Sequence, residues 1–434
     1  MRRVCSIALL IPLILSCSGT ETVEPVNQPP TIEFTFDKVV VRAVPFARDV
    51  DLTVDVSDPD GDALKVTWDI SSGTWVSQNT GNTTVRWTPQ NTLGADTVVV
   101  TVTDGELSAS TDSEIIKRGT WERDFDTLVD KTFTKASSPW IISAKGKTIR
   151  IGAQYTVTIE AGAELYIDTR EVAFEVIGTF RADGTEAEPA VIKPNDRRLR
   201  CGTGGGWWEG IRVGTDEAIS GLVDFTHTEI WHAKYNVWLF EYQSLGGASA
   251  RLHNCLIVCS QLAGILMGSN GSLEVDGCRI TNNQSRGIEI SSGVALPSRV
   301  DITNCDISDN NTGIYMDLND STQTVPIYIT GNRFRSNSID GIAMANAAWP
   351  TAIQNNDFFF NSGSHIRLSD SYPVEVRVPE DWDSLYAIHN FWGTPYDPGN
   401  EALIEAKIWD RRDDRDIGTT VIVTPWDNVP QYNP

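Results

Sequence analysis

Basic residues are scarce: 35 Lys and Arg stand against 58 Asp and Glu, and the 434-residue chain carries a formal charge of −23. Nucleic-acid binding needs a basic footprint and is excluded as a class; polyanionic substrates are disfavoured unless calcium or a local basic patch intervenes. Acidity spread over a whole surface serves solubility more often than recognition. Histidine is rarer still, with five residues, of which only His227 and His232 stand close, five apart. That spacing does not suit a metal, so no copper or zinc site is expected. The longest apolar run, residues 7–15, is too short to stay in a bilayer as a spanning helix.

What is abundant is repetition. Aligning Cys255, Cys278, Cys305, Asn332 and Asn356 places Asn254, Gly277, Asn304, Gly331 and Asn355 just before them. Three positions before come Leu252, Val275, Ile302, Ile329 and Ile353, and two after come Ile257, Ile280, Ile307, Phe334 and Phe358. Intervals of 23, 27, 27 and 24 residues indicate a solenoid. The Asn and Gly positions are corners, because these residues tolerate the left-handed backbone a sharp bend needs. Five positions after the reference, Asn283, Asn310, Asn337 and Asn361 follow Ser260, and their amides are expected to bond from coil to coil. Gly264, Gly287, Gly313 and Gly341 then precede a second short strand with Ile265, Ile288, Ile314 and Ile342 facing inward. The column Leu256, Arg279, Asp306, Arg333 and Asp357 reads as an outward, solvated charge ladder.

Before the solenoid, residues 31–118 change to alternating strands around Val39–Val41, Leu52–Val56, Leu64–Trp68, Thr83–Trp87 and Thr97–Val102, a β-sandwich pattern. The segment Asp58-Pro59-Asp60-Gly61-Asp62 with Thr103-Asp104-Gly105 resembles immunoglobulin-like and cadherin-like modules of bacterial surface proteins. Asp58, Asp60 and Asp62 offer alternate oxygen donors for a structural calcium ion; the competing reading is a turn whose carboxylates cap backbone amides.

The repeat region, 119–388, resembles the right-handed parallel β-helix family, the fold of pectate lyases, and the resemblance implies about ten coils. Val157 to Ala163, Gly178 to Thr185 and Trp208 to Ile211 are similar to its opening coils, and Asn390-Phe391-Trp392-Gly393 to its ending. Residues 389–434 are expected to cap the open edge. There, Glu401 to Trp409 reads as a helix with Asn400 as N-cap and Ile404 and Ile408 on one face, and Trp392, Trp409 and Trp426 seal the last layer.

The fold hosts many activities. The Gly-His-Gly element of polygalacturonase-like hydrolases and the Asp-Pro-His-Asp element of alginate epimerases do not occur, and Arg377-Val378-Pro379-Glu380-Asp381-Trp382 lacks the second Arg of the pectate-lyase element. Two weaker groupings remain. Outward positions Leu266, Glu289, Tyr315, Ala343 and Arg367 align if the third coil has one deletion, so Glu289, Tyr315 and Arg367 could act as base, acid and charge stabiliser. An aromatic-rich coil carries Trp231, Tyr235, Trp238, Phe240 and Tyr242 after Trp207 and Trp208, and Trp231 and Tyr235 are the expected sugar platforms.

Arg2 and Arg3, the apolar run and Ile14-Leu15-Ser16-Cys17 resemble a bacterial lipoprotein signal over residues 1–16, with a lipid on Cys17 and residues 17–30 as linker. Ser18 suggests the outer membrane. The alternative is an ordinary secretory signal in which Cys17 is incidental. Of the other cysteines, Cys255, Cys278 and Cys305 share one inward column a strand spacing apart, too far for bridging. Cys201, Cys255, Cys259, Cys278 and Cys305 are therefore expected as free thiols. The sequence thus describes an all-β, monomeric, lipid-anchored envelope protein whose solenoid recognises a partner, with glycan the favoured ligand. A polysaccharide lyase or hydrolase and a structural spacer are the alternatives.

Overall fold

The columns read from the sequence are physical stacks. The computed structural model describes residues 27–430 apart from 36–38, 45–48, 78, 91–93, 124–129, 145–147, 169, 171, 196–198, 202–207, 215–220, 241–246, 269, 293–296, 319–324, 346–349, 370–383, 394–399, 411–412, 414–419, 425–426 and 428–429. The anchor and linker around Cys17, as well as Trp207, Tyr242 and Trp426, lie outside these residues.

Two sheets form the N-terminal module, antiparallel except for Val39–Val44, which pairs in parallel with Ser108–Arg123. One joins Thr31–Phe34, Val50–Ser57, Thr84–Thr88 and Thr74–Trp75; the other joins Lys65–Ile70, Gly94–Thr103 and Ser108–Arg123. Alternate residues of both, among them Leu52, Val54, Trp68, Trp87, Val98 and Val100, fill a shared core. The strand Ser108–Arg123 does not stop at the module. Its end pairs in parallel with Trp140–Ala144, Thr120 opposite Ile141, so one sheet runs from the module into the solenoid. An otherwise open first edge is thereby covered.

The right-handed parallel β-helix has three walls. The first stacks nine strands from Lys131–Phe133 to Pro350–Gln354; the second begins at Trp140–Ala144 and ends at Asp357–Phe359. The third stacks ten, from Thr148–Ile151 to Ile408–Trp409. Nine three-strand coils thus compare with the ten expected. Register follows the alignment: Leu252, Val275, Ile302, Ile329 and Ile353 are successive partners, as are Ile257, Ile280, Ile307, Phe334 and Phe358. All ten are fully buried or nearly so, in one continuous apolar core.

The repeat coils turn through left-handed backbone. Asn254, Asn304 and Asn355 have φ of 53°, 54° and 58°, with Gly277 and Gly331 in the same column at 61° and 70°. A second left-handed corner, not anticipated, falls at His232, Cys259, Asn282, Asp309, Ser336 and Phe360.

The asparagine ladder is continuous. Asn310 Nδ2 and the Asn310 backbone N–H both donate to Asn337 Oδ1 (3.3 and 3.1 Å), and Asn337 repeats the pattern on Asn361 Oδ1 (3.0 and 3.1 Å). It ends on His365, whose imidazole is pushed down to about 3 by burial and the nearby Lys407 charge and so stays neutral, able to accept from Asn361 Nδ2 at Nδ1. A parallel ladder links Asn332, Asn356 and Asn390 below the Cys305 amide. Glycine is needed beside the first ladder: a Cβ on Gly287 would lie 2.6 Å from Gly313 O and 3.0 Å from Asn310 Nδ2.

Four expectations are corrected. Asp306 and Asp357 are buried rather than solvated, and Arg333 holds Asp306 at 2.6 Å. Cys201 and Cys259 form a disulfide, while Cys255, Cys278 and Cys305 are free and buried. Burial pushes the Cys255 and Cys278 thiols well up, which makes them inert hydrophobes. The C-terminal helix is Glu401–Glu405 only, without a side-chain cap from Asn400, because Ile408–Trp409 becomes a strand on the last strand of the third wall. Trp392 seals the end, stacking 4.8 Å from Phe358, which itself stacks 4.9 Å from Phe334; Trp409, 43% exposed, does not.

Candidate functional site

The third wall carries one outward strip across all ten strands: Arg150, Glu175, Arg212, Trp238, Leu266, Glu289, Tyr315, Ala343, Arg367 and Trp409 are consecutive partners. The expected alignment of Glu289, Tyr315 and Arg367 holds, and the strip extends beyond the recognisable repeats. A parallel column on the same wall runs Tyr235, Ala263, Arg286, Thr312 and Asp340.

Two groups of side chains form between these columns. In the first, Glu175 is buried and bonded to both Arg150 and Arg212, and Arg212 lies 5.8 Å from the Trp238 ring and 5.2 Å from Phe240. Trp238 contacts Tyr235 at 5.4 Å and Phe240 at 5.1 Å, all three rings half-buried. In the second, Arg286 bonds Glu289 at 2.6 Å and stacks its guanidinium 4.1 Å over Tyr315. Burial pushes the Tyr315 phenol up, with Asp317 adding to it; burial pushes Tyr235 up as well, with the Glu289 charge next. The two groups are neighbours on the wall, Ala263 and Leu266 standing between Tyr235 and Trp238 on one side and Arg286 and Glu289 on the other.

Glu289 and Tyr315 come together as adjacent strand partners, with Tyr235 two strands away in the neighbouring ring group. Arg367 does not join them. Ala343 stands between it and Tyr315, two strand spacings or roughly 10 Å, and Arg367 faces buried Asp340 at 3.5 Å. Trp231 lies on the second wall, across the His232 corner from Tyr235, with its Nε1 donating to Glu229 at 3.0 Å. Trp208 is core. Arg286 was the residue missed: it falls in the Tyr235 column, where Ala263 and Thr312 give no hint of charge.

In the N-terminal module Asp58 Oδ1 accepts from the Asp60 and Asp62 amides (2.9 and 3.1 Å), and Asp60 accepts from the Gln28 amide at 2.6 Å. These are turn bonds. Two oxygens are left buried without a hydrogen-bond partner, Asp58 Oδ2 and Asn27 Oδ1, while Asn27 Nδ2 donates to Asp104 at 3.2 Å. Hard oxygen donors of this kind suit calcium. The carboxylates of Asp58, Asp60 and Asp62 do not converge within 4.8 Å of one another; calcium at this turn is proposed on the partnerless Asp58 Oδ2 alone, and adding EGTA to the calcium-loaded protein should lower the first melting transition. An unchanged transition removes the ion from the account.

Residues 243–378 match the family model described as "Right handed beta helix region", and residues 27–116 match "Bacterial Ig domain". No curated protein matches the chain. Among solved structures, a nucleoside hydrolase-related hypothetical protein from Saccharophagus degradans, described as associated with carbohydrate metabolism, is 19% identical over 21% of this chain, with a TM-score of 0.19. The match spans 26% of that chain's own length. The protein carries a bacterial Ig domain followed by a right-handed β-helix.

Proposed function

We propose that this protein is a lipid-anchored envelope protein that binds glycan on the outward face of its third wall without transforming it. The observation that carries this reading is the group of Tyr235, Trp238 and Phe240 in ring contact beside the Arg286–Glu289–Tyr315 cluster. Rings present flat apolar faces to the C–H faces of sugars, and a paired guanidinium and carboxylate offer directed donors and acceptors to hydroxyls. Strand backbones fix these groups, so little order is lost on binding.

Charge narrows the ligand class. Arg150 and Arg212 share Glu175, Arg286 pairs with Glu289 and Arg367 with Asp340, so four arginines meet three carboxylates and a single positive charge is left against a chain charge of −23. A neutral glycan fits best. The same pairing favours recognition over catalysis: Glu289, the candidate base, is tied to Arg286 at 2.6 Å.

A glycan array with the protein purified from the membrane fraction tests the reading. Binding to neutral glycans without release of reducing or unsaturated ends is expected, with Cys17→Ser protein recovered away from membranes. Turnover would establish the lyase or hydrolase alternative instead, and no binding to any glycan would leave the spacer.

A further inference from the structure

We propose that Cys201, His232 and Cys259 form a redox-gated site for a thiophilic metal ion, with zinc(II) as the reference ion. All three come from the same corner of the solenoid on successive coils. Cys201 lies in the excursion between Ala190–Pro194 and Trp208–Val213, His232 follows Thr228–Trp231, and Cys259 follows Leu256–Val258. His232 and Cys259 share left-handed backbone, φ 58° and 59°, and the His232 amide donates to Val258 O at 3.2 Å, so their side chains leave the corner one strand spacing apart. The longer excursion brings Cys201 across that spacing, to a Cα–Cα distance of 4.9 Å from Cys259.

The result is a compact donor set. Both sulfurs and an imidazole nitrogen lie within 4.8 Å of one another, and among the described residues no other His, Cys, Asp or Glu trio does so. Two thiolates and one imidazole are ligands that zinc accepts, and three protein ligands leave a fourth position for water. Cys201 is exposed, which opens the site to solvent, reductant and metal, unlike the buried column of Cys255, Cys278 and Cys305.

In the oxidised state the sulfur–sulfur bond occupies both sulfurs. A dithiol reductant supplies two electrons and two protons: the bond breaks, the reductant closes to its own disulfide, and Cys201 and Cys259 become thiols. Metal then replaces the two thiol protons, which are released to solvent. The site therefore holds metal only when reduced.

Cobalt(II) titration of the full-length protein, oxidised or reduced with a phosphine, tests this. Reduced protein should take up one equivalent with thiolate-to-cobalt absorption that zinc displaces, and oxidised protein none. Cys201→Ser and Cys259→Ser should each lose the thiolate absorption of the pair, and His232→Ala should weaken binding at least about tenfold, all with unchanged far-ultraviolet circular dichroism. Equal binding by oxidised protein, no uptake by reduced protein, or full affinity in any of the three variants overturns the proposal.

Discussion

Asn337→Leu should destabilise the β-helix by roughly 3 to 9 kcal/mol, because it takes partners from three buried polar groups at about 1–3 kcal/mol each. Asn337 Oδ1 accepts from the Asn310 amide and from Asn310 Nδ2, and its Nδ2 donates to Ile307 O at 3.1 Å. Leucine has the volume but none of the bonds, and no water reaches a layer in which Asn310, Asn337 and Asn361 are 2%, 0% and 1% exposed. Exposed Asn311, one residue beyond the ladder, is the control: Asn311→Leu should shift the urea midpoint little. Similar midpoints for the two variants would show that the ladder is not what holds the layers.

Removing residues 390–434 should turn a soluble protein into aggregates. Three supports are lost together. Trp392 no longer covers Phe358, Asn390 Oδ1 no longer accepts from the Asn356 amide and side chain (2.8 and 3.0 Å), and Ile408–Trp409 no longer pairs with Ile366–Ser369. The last coil would then present apolar rings and open strand edges to other molecules. Trp392→Ala tests the packing part alone and should cost about 3–5 kcal/mol. A truncated protein that remains a soluble monomer would contradict the capping role.

The solenoid was legible because its constraints recur in kind. Inward positions are apolar at every coil, and the first corner is Asn or Gly from Asn254 to Asn355, with His227 and His389 beyond them, so columns such as Leu252 to Ile353 can be seen without coordinates. The second corner left no such trace. His232, Cys259, Asn282, Asp309, Ser336 and Phe360 share a backbone conformation but no chemistry, since packing around each coil enforces it. The disulfide was hidden for a related reason: Cys201 and Cys259 stand 58 residues apart and meet through an excursion of irregular length. At the C-terminus Ile408 kept its predicted burial but not its helix, because an unpaired wall edge outweighs a short helix's propensity.

For the candidate site, register could be read but partnership could not. The alignment placed Glu289 beside Tyr315, as the structure does. Which Arg joins them depends on long side chains reaching between columns. Arg286 reaches across three residues to Glu289, while Arg367 finds Asp340 closer than Tyr315. Tyr235 stands in the same column as Arg286 with Ala263 between them, a relation that the reference columns did not include.

The third wall as a glycan-binding surface is tested most directly by the affinity of wild type, Trp238→Ala and Trp409→Ala for the best ligand from the array. Trp238 and Trp409 lie on the same strip, but only Trp238 adjoins the ring cluster. Trp238→Ala should bind at least about tenfold more weakly, a loss of about 1.4 kcal/mol, and Trp409→Ala should bind as wild type does. Wild-type affinity in Trp238→Ala would contradict the assignment of recognition to this wall.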